Sequence, residues 1–188
     1  MVKYFFIALI TLAEFMPAQI CDNGAFAAPV LKMTKIGGHT GLITGGRAGW
    51  IINKKIVLGA GYYILTNEVS SDYRVQPGNQ DLLIDFNYGG LEFEYLVLYE
   101  STYNLSLSMF LGSGGITFYL KDKSKSFSYG NLLVWEPQIS FEVKLNEWIH
   151  ADAGISYRMI SSYTEIYDVS RNDLQGITGI LTLKLGGY

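Results

Sequence analysis

Charged residues recur at alternate positions in segments whose other positions are apolar. Ten of them fall on the polar face: Arg47, Asp85, Glu92, Glu94, Glu136, Glu142, Lys144, Asp152, Arg158 and Lys184. If these faces enclose a narrow space, the charges must pair, because an unpaired buried charge costs several kcal/mol. We therefore predict an internal network of salt bridges. Its members are Arg47, Glu92, Glu94, Glu136, Glu142, Asp152, Arg158 and Lys184.

Two kinds of function follow from such an interior. Side chains that pair with one another would fill the enclosed space, and the protein would then have a structural role or a surface-interaction role. The alternative is a narrow channel for small solutes, or an ion-sensitive gate, if a continuous water path remains. A measurement of single-channel conductance distinguishes the two.

Enzymatic chemistry has few candidate residues. A nucleophilic serine needs a histidine to activate it and a carboxylate to orient that histidine. The sequence contains only two histidines, His39 and His150. His39 falls near a predicted loop from which Ser70 or Ser71 could approach it, whereas His150 follows a predicted turn at the opposite end. Loop side chains are more often simply solvated, so we predict no catalytic residue.

Metal, cofactor and nucleic-acid binding have no support in the sequence. Asp72, Asp122, Asp168 and Asp173 fall in predicted loops without the spacing of a cation-binding loop. The net charge of −3 argues against a nucleic-acid partner. Cys21 is the only cysteine, so no intrachain disulfide can form. We predict no metal site and no cofactor.

The segment Leu132–Ile160 carries the clearest structural pattern. Apolar residues occupy the odd positions of Leu133–Leu145 and of Ile149–Met159, and polar residues occupy most even positions from Glu136 onward. A period of two that extends over about ten residues, twice, predicts a β-hairpin. Each strand is long enough to cross a bilayer at a tilt.

The turn of this hairpin determines which charges face each other. Residues opposite each other share one side of a sheet, so an odd position must pair with an odd position. A three-residue turn, Asn146–Trp148, satisfies this requirement. The resulting register places Arg158 opposite Glu136, which we predict to be an ion pair, and places Asp152 opposite Glu142.

The same alternation recurs along the chain. The predicted strands are Pro29–Ile36, Gly41–Ile52, Ile56–Thr66, Leu82–Val97, Tyr103–Leu120, Leu132–Leu145, Ile149–Ile160 and Leu174–Gly187. An apolar face toward lipid and a polar face toward a lumen are typical of membrane barrels. We predict an all-β protein, an eight-stranded antiparallel up-and-down transmembrane β-barrel. The rival fold, a soluble lipocalin-like barrel, would have an apolar lumen and a polar exterior.

The connections alternate between short and long. Short turns are predicted at Asn53–Lys55, Leu98–Thr102 and Asn146–Trp148, and long loops at Asn67–Asp81, Lys121–Asn131 and Ser161–Asp173. Gly37–Gly38 predicts a tight turn between the first two strands. In the fourth predicted strand we place Phe86 and Tyr88 on the outward face and Glu92 and Glu94 on the inward face. All four have even numbers, so this assignment requires the alternation to change phase at Gly89–Gly90, as it does at a β-bulge. A further kink is predicted at Gly112–Gly115.

The N-terminal residues resemble a secretory signal. Lys3 supplies the positive charge, a short apolar core follows, and cleavage after Ala18 is predicted, with later cleavage up to Ala28 as the alternative. This assigns residues 1–18 to the signal peptide and residues 29–188 to the barrel. Outside this region the sequence has no apolar run of about 18 residues, which argues against a helical membrane protein.

Several glycine-aromatic motifs carry a family resemblance. They are Gly45–Asn53, Gly59–Tyr62, Tyr88–Tyr95 and Ala153–Arg158. Their types and order resemble those of small eight-stranded outer-membrane barrels, and more narrowly an uncharacterised family of such barrels in diderm bacteria. The resemblance implies the fold and a location, but no known activity and no catalytic residues.

The resemblance also carries expectations about partners. It implies secretion to the periplasm of a diderm bacterium and insertion in the outer membrane by the barrel-assembly machinery, with membrane lipid as the surrounding partner. We expect a monomer. Such barrels usually end in an outward aromatic residue, and Tyr188 is aromatic but alternates out of phase with Leu181, Leu183 and Leu185. A lipid-editing enzyme is the least favoured alternative, because it would need His39 to meet a serine and a carboxylate.

Overall fold

The computed structural model describes residues 23–75, 80–99, 102–120, 126–161 and 171–187. The strands are β1 (Gly24–Ile36), β2 (His39–Ile52), β3 (Ile56–Leu65), β4 (Val69–Val75), β5 (Gln80–Tyr99), β6 (Tyr103–Leu120), β7 (Ser126–Lys144), β8 (Ile149–Ser161) and β9 (Gly176–Gly187). One short helix, α1 (Arg171–Leu174), precedes β9. Within the described residues, no helix has the length and apolar character needed to cross a membrane.

The strands form one closed antiparallel barrel. Their order is β3-β2-β1-β9-β8-β7-β6-β5-β4, and a further pairing between β3 and β5 completes the ring. Since β3 and β4 both pair with β5, one after the other, they occupy a single position in the ring. The predicted eight-stranded up-and-down barrel is therefore confirmed.

The two ends of the barrel differ in their connections. At the turn end, residues 53–55, 100–102 and 145–148 join consecutive strands. At the opposite end, the loop end, β1 turns into β2, strands β4, β6 and β8 end, and strands β5, β7 and β9 begin. The predicted loop Asn67–Asp81 is corrected, because it contains β4 and the start of β5, and the predicted loop Lys121–Asn131 contains the start of β7. Most of the third predicted loop, residues 162–170, lies outside the described residues.

The turns set the register of the strands. Gly37 and Gly38 have φ values of +56° and +77° and join Ile36 directly to His39, which confirms the tight turn. At the turn of β7 and β8, Asn146 Oδ1 accepts hydrogen bonds from the backbone amides of residues 148 and 149, each at 2.8 Å. The Leu145 amide donates to the Ile149 carbonyl at 3.0 Å, which confirms the predicted three-residue turn.

The predicted phase flip in β5 is wrong. Phe86, Tyr88, Glu92 and Glu94 are all buried on the same face, and β5 pairs with β6 without a shift across Gly89 and Gly90. The inward face changes from aromatic to acidic while its phase stays constant, and a pattern based on polarity cannot distinguish this from a bulge. The β6–β7 register shifts between residues 114 and 115, but the extra residue, Asn131, belongs to β7, and β6 pairs with β5 without a shift there. The kink of β6 therefore stays a prediction.

The exterior of the barrel is apolar. Leu91, Ile155 and Ile177 expose 72%, 60% and 69% of their surface. Such a surface suits lipid and not water. The lipocalin-like alternative, with a polar exterior, is therefore wrong.

The interior divides along the barrel axis. At the loop end the described inward side chains form an apolar cluster, and its members include Ile36, Ile43, Leu65, Val69, Ile84, Phe86, Ile116, Phe118, Leu132, Val134, Ile160 and Leu174. A smaller apolar cluster, Phe26, Ala28, Ile51 and Val57, lies near the turn end beside β1, β2 and β3. Charged and polar side chains occupy the remainder of the interior.

Candidate functional site

The barrel strands bring charged side chains together in the lumen. The eight residues predicted for the internal network are all buried: Arg47, Glu92, Glu94, Glu136, Glu142, Asp152, Arg158 and Lys184. They come from β2, β5, β7, β8 and β9, so their contacts cross the lumen. Two further residues of the predicted polar face, Asp85 and Lys144, are half-buried. Asp85 belongs to the outward phase of β5, because that phase does not flip.

Arg47 organises the half of the lumen nearer the turns. Its Nη1 lies 2.7 Å from Glu92 Oε1, and its Nη2 lies 3.3 Å from Glu94 Oε2 and 3.8 Å from Asp152 Oδ2. The strand between Arg47 and these glutamates is β3, which places Gly59 and Gly61 beside them. Since glycine has no side chain, the guanidinium can reach the carboxylates of β5.

Lys184 links the same carboxylates from the opposite side. Its Nζ lies 2.6 Å from Glu142 Oε2, 3.0 Å from Glu94 Oε1 and 3.7 Å from Asp152 Oδ2. Glu142 also accepts a hydrogen bond from Asn104 Nδ2 at 2.6 Å, and its Oε1 lies 3.1 Å from His150 Nδ1. We call Arg47, Glu92, Glu94, Glu142, His150, Asp152 and Lys184 the turn-end cluster.

A second cluster forms around Glu136 in the middle of the lumen. Lys32 Nζ lies 2.9 Å from Glu136 Oε2, and the Tyr88 hydroxyl donates to the same oxygen at 3.0 Å. Ser156 Oγ donates to Glu136 Oε1 at 2.6 Å. The Lys32 ammonium also lies 3.8 Å from the centre of the Tyr63 ring, a cation–π contact. We call Lys32, Tyr63, Tyr88, Glu136 and Ser156 the central cluster.

The predicted ion pair between Arg158 and Glu136 is wrong. The predicted register itself is correct, since Trp135 pairs with Met159 and Glu142 pairs with Asp152. However, Lys32 forms the ion pair with the carboxylate of Glu136, and the Arg158 side chain points toward the loop end.

Arg158 instead binds the short helix α1 at the loop end. Its Nε donates to the Leu174 carbonyl at 2.8 Å, and its guanidinium lies 5.3 Å from the centre of the Phe86 ring. Leu174 belongs to α1 and is fully buried. A second bond fixes the same segment, because the Gly37 amide donates to the Asp173 carbonyl at 3.0 Å.

Sequence reasoning missed several members of the two clusters. Lys32 alternates with Leu31 and Met33, so its inward position could have been found from the period-two pattern. Tyr63 and Tyr88 could not, because an aromatic residue in a membrane strand is equally compatible with the lipid face. His150 occupies an even position of the predicted hairpin, as Glu142 does, and its contact with Glu142 agrees with the β7–β8 register.

The candidate catalytic and metal-binding residues are described only in part. His39 is exposed at the start of β2, and Ser70 is half-buried on β4. Within the described residues, no group of three or more His, Cys, Asp or Glu side chains could hold a metal ion. Ser71, Asp72, Asp122 and Asp168 belong to the part of the chain whose side chains are not described.

Comparison with known proteins identifies the architecture. No protein-family model and no curated sequence matches the chain. Among solved structures, the N-terminal β-barrel domain of Pseudomonas aeruginosa OprF matches with a TM-score of 0.63 and 11% identity, over 88% of this chain and 98% of that one. Neisserial surface protein A (NspA) matches with a TM-score of 0.59 and 12% identity, over 88% and 96%.

The attachment invasion locus protein Ail of Yersinia pestis has a TM-score of 0.50 and 13% identity, over 89% of this chain and 97% of Ail. All three are small barrels whose nearly full length superposes on this chain. At these identities the similarity concerns the fold. The chain therefore has the fold of the small eight-stranded outer-membrane β-barrels.

Proposed function

We propose that this protein is a non-enzymatic outer-membrane β-barrel of a diderm bacterium, with a lumen filled by its own side chains and a structural or surface-interaction role. The observation that carries the proposal is the pairing of the buried carboxylates with cations across the lumen. The carboxylates of the turn-end and central clusters contact cations from other strands. Charges that are already paired across a narrow lumen leave little room for a permeating ion.

The apolar cluster at the loop end supports the same function. Ile36, Ile84 and Phe118 are fully buried there, and Leu174 of α1 packs against this cluster. A hydrophobic constriction excludes water and therefore opposes ion flow. A solute entering from the loop end would have to displace these side chains before it reached the charged interior.

The shape of the loop end supports a role at the surface. Strands β5, β6 and β7 contain 20, 18 and 19 residues, whereas β1, β2, β8 and β9 contain 13, 14, 13 and 12. Strand β7 continues toward the loop end past its last pair with β8, Leu133 with Ser161, and stays paired with β6 as far as Ser126. A surface protein and an attachment invasion locus protein are among the similar structures, which is in keeping with such a role.

The remaining parts of the proposal concern how the protein reaches its place. We propose export through an N-terminal signal peptide to the periplasm, insertion by the barrel-assembly machinery, and a monomeric state in the membrane. The loop end would then face the exterior of the cell and the short turns would face the periplasm, as is usual for outer-membrane barrels.

Planar-bilayer recording of the purified protein tests the filled lumen. Wild-type protein is expected to give no steady single-channel current. Phe118→Ala, which shortens one apolar side chain at the loop end, is the matched variant and is expected to leak more than wild type. A steady, reproducible wild-type conductance would contradict the proposal and would establish the narrow channel instead.

A further inference from the structure

A groove marks the exterior where the first and last strands close the barrel. It lies at the loop end between β1 and β9 and has a volume of about 590 Å³. We call it the seam groove, and its lining includes Met33, Lys35, Thr40, Gln175, Ile177 and Gly179. It is separate from the lumen, because Met33, Lys35, Ile177 and Gly179 belong to the outward phase of their strands.

The backbone explains why a groove forms here. Met33 pairs with Gly179, and the absence of a side chain at Gly179 leaves a trough between neighbouring strands. A Cβ atom at Gly179 would meet no atom closer than the Met33 carbonyl oxygen, at 3.9 Å. At Gly176, with a φ of +154°, β9 begins in a conformation that L-residues rarely adopt. The paired part of the seam ends at Thr34 and Thr178.

The groove is apolar on one side and polar on the other. Met33 and Ile177 expose 57% and 69% of their surface and form its apolar floor. Lys35 lies two residues further toward the loop end on the same face of β1, which is about 7 Å along a strand. Gln175 precedes β9 and also lines the groove. The outward face of β9 is apolar from Leu185 to Ile177, and this run, tilted as in a barrel, spans about 20 Å. Lys35 is thus placed at the boundary of the apolar band.

We propose that the seam groove binds an anionic membrane lipid, with the lipid phosphate on Lys35 and one acyl chain along Met33, Gly179 and Ile177. Lys35 is exposed, and among the described residues it has no salt-bridge partner. Lys35 lies directly above a trough in the lipid-facing surface. The cation matches the phosphate of one lipid molecule, and the trough matches one of its acyl chains. Thr40 and Gln175 can add hydrogen bonds to the same headgroup.

A second exterior groove provides a natural comparison. It is lined by Pro29, Gly46, Ala48 and Ala60 and has a volume of about 560 Å³, close to that of the seam groove. Its one charged lining residue, Arg47, turns its guanidinium into the lumen toward Glu92. This groove has the trough without the cation, so we expect it to hold acyl chains without preference for an anionic headgroup.

Native mass spectrometry of the full barrel in detergent, titrated with dioleoylphosphatidylglycerol, tests the proposal. Wild type is expected to retain one lipid, and Lys35→Gln to weaken its binding about tenfold, the scale of one lost charge-assisted hydrogen bond. Gly179→Leu, which fills the trough, is expected to weaken it similarly. Zwitterionic dioleoylphosphatidylcholine is expected to bind wild type more weakly than the anionic lipid does. Its binding to Lys35→Gln is expected to be as weak as its binding to wild type.

The control variants keep the result decisive. Lys55→Gln removes an exposed lysine at the turn end, and Gly46→Leu fills the second groove, so both should bind the anionic lipid as wild type does. Equal binding by all variants, or equal loss in the controls, would overturn the proposal. A dimer that disappears in Gly179→Leu would overturn it in favour of a second copy of the chain. If Gly179→Leu does not fold, the comparison of Lys35→Gln with Lys55→Gln still decides.

Discussion

At the scale of single residues, Glu136 illustrates how a buried charge is retained in this barrel. Its carboxylate contacts Lys32, Tyr88 and Ser156, which come from three different strands. Removing water from a carboxylate is unfavourable by several kcal/mol, and only a close cation together with further hydrogen bonds offsets this. The partners of Glu136 therefore hold β1, β5, β7 and β8 in one arrangement.

Lys32→Met is expected to destabilise the barrel by about 3–5 kcal/mol, because it leaves the carboxylate of Glu136 without its cation. Adding Glu136→Gln should recover part of this loss. Urea titration of the two single variants and the double variant in detergent micelles gives the coupling energy. The matched cycle uses Arg158→Met with Glu136→Gln, and its coupling should be smaller since these side chains form no ion pair. Strict additivity in the Lys32 cycle would contradict the assignment.

At the scale of strands and turns, the predictive power of the sequence varied with the chemistry of the inward face. The hairpin of β7 and β8 was predicted with the correct turn and register, because polar residues alternate with large apolar ones from Glu136 to Met159. In β5, Phe86 and Tyr88 face the lumen, so the polarity of a side chain no longer indicates whether it faces the lumen or the lipid. The partner of Glu136 was not predicted correctly for a related reason. The choice between Lys32 and Arg158 depends on which cation lies at the same depth along the barrel axis, and the alternation within one strand does not show this.

The start of β1 was also predicted too late. The strand begins at Gly24, five residues before Pro29, because small residues give a weak alternating pattern although Phe26 is buried. Residues 25–27 pair with β9 and close the barrel. We therefore predict that signal cleavage occurs before Gly24, which agrees with Ala18 and not with Ala28. The intact mass of the secreted protein checks this, and a mature chain beginning after Ala28 would contradict it.

Glycine pairs control the close approach of β5 and β6. A Cβ atom at Gly90 would collide with the backbone of Leu111 and Gly112. Gly90→Ala is therefore expected to destabilise the barrel by about 1–3 kcal/mol through overpacking. At Gly46 on the exterior, the nearest atom to an added Cβ is the Ala28 carbonyl oxygen at 3.6 Å, so Gly46→Ala should be tolerated. Equal urea midpoints for the two variants would show that the space at Gly90 is not limiting.

At the scale of the whole molecule, the barrel has the polarity of a membrane protein. Its exterior exposes large apolar side chains, while its interior contains paired charges and polar groups between two apolar clusters. A soluble barrel has the opposite distribution. The surrounding lipid therefore contributes to stability wherever the exterior is apolar, and this contribution depends on depth in the bilayer.

A pair of arginine substitutions tests that depth dependence. Ile155 lies within the apolar band, and Leu145 adjoins the turn of the same hairpin, and both are about 60% exposed. Ile155→Arg is expected to cost about 2–4 kcal/mol on insertion, whereas Leu145→Arg should cost about 0–1 kcal/mol. Folding yield in lipid vesicles measures the difference. If Leu145→Arg impairs insertion as much as Ile155→Arg, the position assigned to the band is wrong.

The pairing of β1 with β9 also has a consequence for the time course of folding. Hairpins such as β7–β8 join neighbouring segments and can form early, but Ala25 meets Gly187 only after the entire chain between them is in place. Until then the sheet has two free edges with unpaired amides and carbonyls, which readily add strands from other molecules. Ring closure is therefore expected to be the slow step. The unclosed sheet, with its adhesive edges, is the species that an assembly factor would have to shield.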